Sequence, residues 1–303
     1  MGKDTSIGWA DSTLNLQMGC DGCELWTKKR TGAKANRTCY AGLLTERYGG
    51  KNGWPVAFAQ PKMFPDRLSQ ALRWPDLSGI KRPDKPWLDD LPRIIFLNDM
   101  GDTFTESLPI DWMMPLIPDM ETSVHEFLFL TKRVSRMKLF FEQLGYVPQN
   151  FWLGASVTSH SNIGRIDILR NIEGAKIKFL SVEPLLEDIM PVSFEGIDWV
   201  IVGGCSGFSQ ASMTNLEWVY DVVKQADKDG AKVFVKQLGS RPYLPPGPSL
   251  LHSTMPHSIN LRQVSDTMLE YPTGDGKGEI MNRYPAPLRR REMPEVKTRW
   301  RLF

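Results

Sequence analysis

Three cysteines near the start of the chain have spacing that suits a metal. Cys20-Asp-Gly-Cys23 is a C-x2-C pair, and Cys39 follows after fifteen residues. A C-x2-C turn sets two thiolates on one side of a tight loop, and Gly22 supports that turn. Three thiolates are one ligand short of a closed tetrahedral zinc site. They also suit a [4Fe–4S] cluster with one iron left open for a substrate or for S-adenosylmethionine. A thiol–disulfide role needs a following helix in a thioredoxin-like βαβ unit, whereas residues 24–38 (ELWTKKRTGAKANRT) read as a basic loop. The plain alternative is a structural zinc clip closed by Cys205 or by one of the four histidines. Cys205 itself reads as a buried apolar-like residue, a fourth ligand or a reactive thiol.

The elements that must position these groups come from six short apolar runs: 93–98 (RIIFLN), 126–131 (EFLFLT), 151–156 (FWLGAS), 177–182 (IKFLSV), 199–203 (WVIVG) and 232–236 (KVFVK). Each is nearly continuous in hydrophobicity, the pattern of strands buried on both faces of a parallel sheet. Amphipathic stretches lie between them. Residues 135–144 place Met137, Phe140, Phe141 and Leu144 on one helical face, and 215–227 follow a capping-box pattern, Thr214-Asn-Leu-Glu217, with Gly230 as the stop. Strand and helix in alternation predict an α/β fold, a TIM-like (β/α) barrel, complete or partial. Residues 1–303 read as one domain, with a cysteine loop at 18–41. An irregular insertion at 49–92 and an irregular C-terminal extension at 240–303, wrapping the barrel, complete it.

In such barrels the ligand groups gather at the C-terminal ends of the strands. The six runs end in NDMGD, TKR, SVTS, SVEP, GGCSG and KQLG, all polar, charged or glycine-rich. Together they predict a shared polar mouth. Singly, each has a plainer reading: Asp99 and Asp102 as helix caps, Lys132 and Arg133 as a solvated face, Glu183 as the partner of a lysine such as Lys132 or Lys236.

A formal net charge of +2 makes no case for nucleic acid by itself. Local charge says more. The cysteine loop carries Lys28, Lys29, Arg30, Lys34 and Arg37, and residues 283–301 carry seven basic residues against Glu292 and Glu295, a balance of +5. Trp26, Tyr40, Tyr284 and Trp300 stand among or beside them, and basic residues with aromatic neighbours suit phosphate contact plus base stacking. The alternative is solvated surface. No apolar run reaches the roughly 18 residues of a membrane span, the first residues lack the apolar core of a signal peptide, and four cysteines are too few for a disulfide scaffold. The expected compartment is the cytoplasm, with no membrane partner.

These residues carry a resemblance. IGWADSTLN, the Gly-Cys loop and Cys39-Tyr-Ala resemble the opening of the phage Gp37/Gp68-like family, a three-cysteine-motif family of the DUF5131 type. PDRL (65–68), FLTKR (129–133), WLGASV (152–157), FLSVEPLL (179–186), IDWVIVGG (197–204) and VFVKQLG (233–239) agree with it in order across nearly the whole chain. That family looks like a barrel related to radical S-adenosylmethionine enzymes, although its cysteine spacing is not their usual C-x3-C-x2-C. The chain departs from its own family in two places. Members usually keep the three cysteines close together, and most have Glu where Cys205 stands.

The resemblance implies a radical S-adenosylmethionine-like iron–sulfur enzyme, phage-encoded and acting in the host cytoplasm, with a nucleic acid or nucleotide as substrate. Cys20, Cys23 and Cys39 would hold the [4Fe–4S] cluster. Asn98, Asp99, Ser156, Glu183, Gly203 and Gly204 are then the candidates for holding S-adenosylmethionine. Lys132, Cys205 and Lys236 are the candidate catalytic groups, with Arg133 and Gln237 beside the lysines toward substrate. Two other readings stay open. One is a zinc-stabilised nucleic-acid-binding protein without catalysis. The other is a metal-independent barrel hydrolase using Asp99, Asp102 and Glu183.

Overall fold

A computed structural model describes residues 2–27, 37–206 and 212–296. Its centre is a seven-stranded sheet: β1 (Ser12–Leu14), β2 (Ile94–Leu97), β3 (Glu126–Thr131), β4 (Phe151–Ser156), β5 (Ile177–Val182), β6 (Trp199–Gly203) and β7 (Lys232–Gln237). Spatial order equals chain order, and every neighbouring pair is parallel. The helices are α1 (Tyr40–Tyr48), α2 (Arg67–Ala71), α3 (Ile117–Glu121), α4 (Val134–Leu144), α5 (Gly164–Arg170), α6 (Leu216–Lys228) and α7 (Leu250–Ser253). None among the described residues is long and apolar enough to cross a membrane.

Alternation along the strands splits the core in two. Ile95 and Leu97, Phe127 and Phe129, Val200 and Val202 face one layer, where they meet Met137, Phe140 and Phe141 of α4 and Val219, Val222 and Val223 of α6. The other face collects Phe96, Leu128, Trp152, Phe179, Trp199 and Phe234 around Trp9. The Trp9 ring lies 4.6 Å from Phe96 on β2 and 6.2 Å from Trp199 on β6. Strands four places apart in a flat sheet stand about 19 Å apart at about 4.8 Å each. One indole can touch both only because the sheet curls around it. The result is a half-barrel with a filled interior. Among the described residues β1 and β7 do not pair. Gly2 bridges Thr13 along the outer edge of β1, and Arg291 bridges Phe234 along the outer edge of β7.

Several expectations need correction. Of the two forms expected, the sheet has the partial one: among the described residues it is an open, curled half-barrel. Its first strand, β1, lay outside the six apolar runs because it is three residues long and polar on both flanks. The cap of α6 is Asn215, whose side chain accepts from the Glu217 N–H, not Thr214. Insertion 49–92 is tied into the fold. Arg82 forms a buried two-armed pair with Asp11 (2.7 and 3.2 Å), and Lys85 Nζ donates to the carbonyls of Thr5, Ile7 and Ala10. These contacts clamp the segment that carries Trp9. The C-terminal extension has regular structure too, since Pro242–Leu244, Arg262–Ser265 and Met268–Glu270 join Thr214–Asn215 in a small four-stranded sheet.

Candidate functional site

The cysteine loop leaves the C-terminal end of β1 and returns at α1, so it lies at the mouth of the half-barrel. Its first turn is fixed by reciprocal backbone bonds between Cys23 and Trp26 (3.0 and 2.9 Å). Gly22 makes that turn at φ +97°, where an added Cβ would also strike the Trp26 carbonyl. Leu25 is the hinge to the third cysteine: its carbonyl accepts from both Thr38 N–H and Cys39 N–H at 3.0 Å. Cys39 is thereby held beside the C-x2-C turn despite the fifteen intervening residues. Cys20, Trp26, Phe58 and Met100 pack together as a small apolar cluster with Cys39 at its margin. All four cysteines are free thiols.

Arg133, at the end of β3, joins this loop to the sheet. One nitrogen lies 3.4 Å from Cys20 Sγ and 3.0 Å from Asp102 Oδ2, and the other donates to the Gly22 carbonyl at 2.7 Å. Asp102 is further held by Thr131 Oγ1 and by the backbone N–H groups of Lys132 and Phe104. Burial pushes the Cys20 thiol up to about 11, with the Asp102 charge adding and Arg133 and the Gly22 amide opposing. Burial raises Cys23 too, while Lys132 and the Leu25 amide (3.4 Å to Sγ) pull it down. The metal-free Cys20 and Cys23 thiols are therefore protonated at neutral pH, and metal binding there must displace protons.

The donor chemistry fits a soft metal. Cys20 and Cys39 lie in or against one apolar cluster, and the Cys20 and Cys23 sulfurs accept backbone N–H groups, the usual surroundings of a thiolate-bound centre. As the side chains stand, no group of three or more His, Cys, Asp or Glu among the described residues is arranged to hold an ion.

Beside the loop lies a second set. Asn15 Nδ2 donates to Asp99 Oδ1 at 2.6 Å, and Tyr40 hydroxyl donates to the Asp99 carbonyl and lies 3.3 Å from its Oδ2. Burial raises the Asp99 carboxyl above its usual range against the pull of these bonds. It also raises the Tyr40 phenol, with the charges of Asp99, Cys39 and Glu183 adding. Tyr40 as a residue remains 48% exposed. Glu24 bridges the loop to β4 through Thr158 (3.0 Å) and a two-armed bond from Arg165 (3.1 and 3.2 Å). Burial opposes its charge, but Arg165 and Lys132 more than offset this and hold its carboxyl below the usual range.

The structure brings many of the expected residues to the mouth and assigns several of them internal partners. Glu183 takes Lys236 Nζ at 2.6 Å and Gln237 Nε2 at 2.7 Å, the plainer of its two readings. Asn98 holds the Gln17 N–H and Thr103, with its backbone at φ +55°. Gly203 O accepts from Leu185 N–H, and Gly204 N–H donates to Gln237 O. Ser156 is buried, and its carbonyl accepts from Arg165. Lys132 stands near Cys23 and Glu24, close enough to act on both electrostatically. Cys205 is buried on the Glu183 side, and burial raises its thiol. Lys28, Lys29, Arg30 and Lys34 of the basic loop lie outside the described residues, as do Lys297, Arg299, Trp300 and Arg301. Asn15, Glu24 and Arg165 were missed in the sequence, and Tyr40 was marked only as an aromatic beside the basic loop, not as a partner of Asp99. The alternation Leu14-Asn15-Leu16-Gln17, apolar outward and polar inward, is the one local signal that marks any of them.

A family model described as "Protein of unknown function (DUF5131)" matches residues 4–264. No curated protein and no solved structure matches the chain.

Proposed function

The chain belongs to that family, and from this premise we propose that it is an enzyme built around a thiolate-bound [4Fe–4S] centre at the mouth of a partial (β/α) barrel. The observation that carries the reading is the wiring of the cysteine loop. Arg133 spans Cys20, the Gly22 carbonyl and Asp102, and Leu25 holds Cys39 beside the C-x2-C turn. Cys20, Cys23 and Cys39 would be the ligands, and the centre would supply one-electron reduction of S-adenosylmethionine bound at its open iron.

The chain's own residues have separate tasks. The apolar cluster of Trp26, Phe58 and Met100 excludes water from the sulfurs. The N–H groups of Gly22 and Leu25 and the Arg133 guanidinium favour the thiolates once their protons leave. Loading then calls for rotation of thiol side chains and loss of protons, not a new backbone path. Tyr40 and Asp99 face the same mouth. A half-exposed tyrosine with an anchored hydroxyl suits contact with a planar group, and a carboxyl titrating above its usual range suits an ammonium or ribose partner. We read the substrate as a nucleic acid or nucleotide. The hydrolase reading draws less support, because Asp102 and Glu183 are occupied by internal partners.

The test is anaerobic reconstitution with iron and sulfide, metal analysis, and an assay for reductive cleavage of S-adenosylmethionine. Brown protein that loses its colour in Cys23→Ala and cleaves the sulfonium supports the proposal. Colourless protein carrying one zinc overturns it.

A further inference from the structure

The cysteine cluster has an outer surface that the site above does not use. From Arg47 through Pro65 the chain carries Arg47, Lys51 and Lys62 and no acidic residue; Glu46, paired with Arg37, and Asp66 border the stretch. Over the same stretch large apolar groups stay in water: Tyr48 is 39% exposed, Val56 77% and Met63 46%. The Tyr48 and Trp54 rings lie 5.5 Å apart, and Arg47 sits 5.3 Å over Tyr48. Lys62 lies 5.3 Å over the Phe64 ring two residues on. Trp54 and Phe64 both rest against the apolar cluster that contains Cys20 and Trp26, which makes this one continuous face.

We propose that this face binds single-stranded nucleic acid, with bases stacking on Tyr48 and Trp54 and phosphates meeting Arg47, Lys51 and Lys62. Aromatic rings flanked by cations without acids match the two exposed parts of an unpaired strand, its base planes and its phosphates. A duplex hides the base planes and offers only charge. Helix α1 gives the face a direction. It runs from Tyr40, bonded to Asp99 at the mouth, to Tyr48 in the patch, a rise of about 12 Å over eight residues. A strand lying on the patch therefore reaches the mouth. The inference rests on the reading above and narrows its substrate class to an unpaired strand, and it uses surface groups that the metal does not need.

The test uses the full chain, a short fluorescent single strand of mixed sequence and the matching duplex, with binding read by anisotropy over a range of salt. The single strand should bind more tightly than the duplex. Tyr48→Ala should weaken it by roughly tenfold, the size of one lost base stack, and Tyr48→Phe should retain it. The pair Lys51→Ala with Lys62→Ala should reduce the salt slope by about 1.4, at about 0.7 per phosphate contact on a single strand. Lys138→Ala, on α4, should change nothing. These side chains are exposed, and an unchanged melting temperature confirms that each variant folds. Equal affinity for duplex, no binding by the wild type, or patch variants that match the wild type would each overturn the proposal. Cys23→Ala separates the two readings: it should lose metal and keep single-strand binding.

Discussion

The Arg133 guanidinium lies 3.4 Å from the Cys20 sulfur, and the same nitrogen lies 3.0 Å from Asp102. Arg133 and Asp102 are mostly buried, with 12% and 8% of their side chains exposed. Removing one partner of a buried pair leaves an uncompensated charge, so Arg133→Met should destabilise the fold by about 3 kcal/mol. Asp102 keeps three other donors, which holds the cost to the lower part of the usual range. Arg133→Lys restores charge but not the two-armed geometry, so it should recover part of the stability. Urea unfolding of the three proteins checks this. Stability equal to wild type in Arg133→Met would show that the link between loop and sheet is incidental.

Glu183 and Lys236 form the second pair, at 2.6 Å with 15% and 26% of their side chains exposed. A double-mutant cycle with Glu183→Gln and Lys236→Met should give a coupling of about 1 kcal/mol, between the values for exposed and fully buried pairs. Zero coupling would show that Lys236 does not hold Glu183 in place and leave Gln237 as its internal partner.

Gly42 on α1 faces the Trp26 ring, and a Cβ there would stand 2.5 Å from it. Trp26 is also pinned from outside by Arg37, 4.3 Å over the ring. Gly42→Ala should therefore push the indole out of the cysteine cluster and cost about 1–3 kcal/mol, the usual range for overpacking. Indole fluorescence and iron retention after reconstitution report the displacement. An unchanged spectrum and full iron content would argue that the cluster tolerates the shift.

Asp275 gives a pH prediction. Burial alone would raise its carboxyl, but the N–H groups of Lys277, Gly278, Glu279 and Ile280 more than offset this and hold it below the usual value. The unfolded chain therefore binds the proton more tightly. The stabilisation is complete above the ordinary carboxyl pKa of about 3.9 and is lost as pH falls through the lowered folded value. Asp275→Asn should melt below wild type at neutral pH, and the gap should close in strong acid. Melting curves at both pH values decide it. A gap that persists in acid would assign the effect to packing.

Much of the sheet was legible in the sequence because parallel strands are buried on both faces and read as unbroken apolar runs. EFLFLT, FWLGAS, IKFLSV and WVIVG are strands to the residue. Ser12–Leu14 was not, since three residues give no period to detect. The openness of the sheet was also hidden. It depends on what lies beside β1 and β7, and no local pattern encodes a missing neighbour. The mouth was legible as a set of polar strand ends, but its pairings were not. Asn15 meets Asp99 across 84 residues, and Arg165 meets Glu24 across 141. Such contacts follow from the curl of the sheet, and propensity says nothing of them. Asn215 is the cap because its side chain accepts the Glu217 N–H, whereas the Thr214 hydroxyl is buried away from it without a hydrogen bond among the described residues.

The open sheet leaves two rows of backbone donors and acceptors that a closed barrel would satisfy. Gly2 takes up one row through two bonds with Thr13, and the segment at Arg290 and Glu292 takes up the other through Val235 N–H and Val233 O. An uncovered parallel edge rich in valine is a template for strand addition. The strip around Arg291 thus covers an edge while its neighbours Leu288, Met293 and Val296 pack on the two cores: deleting residues from 286 onward should cost stability and, by baring that edge, favour association of the chain on concentration.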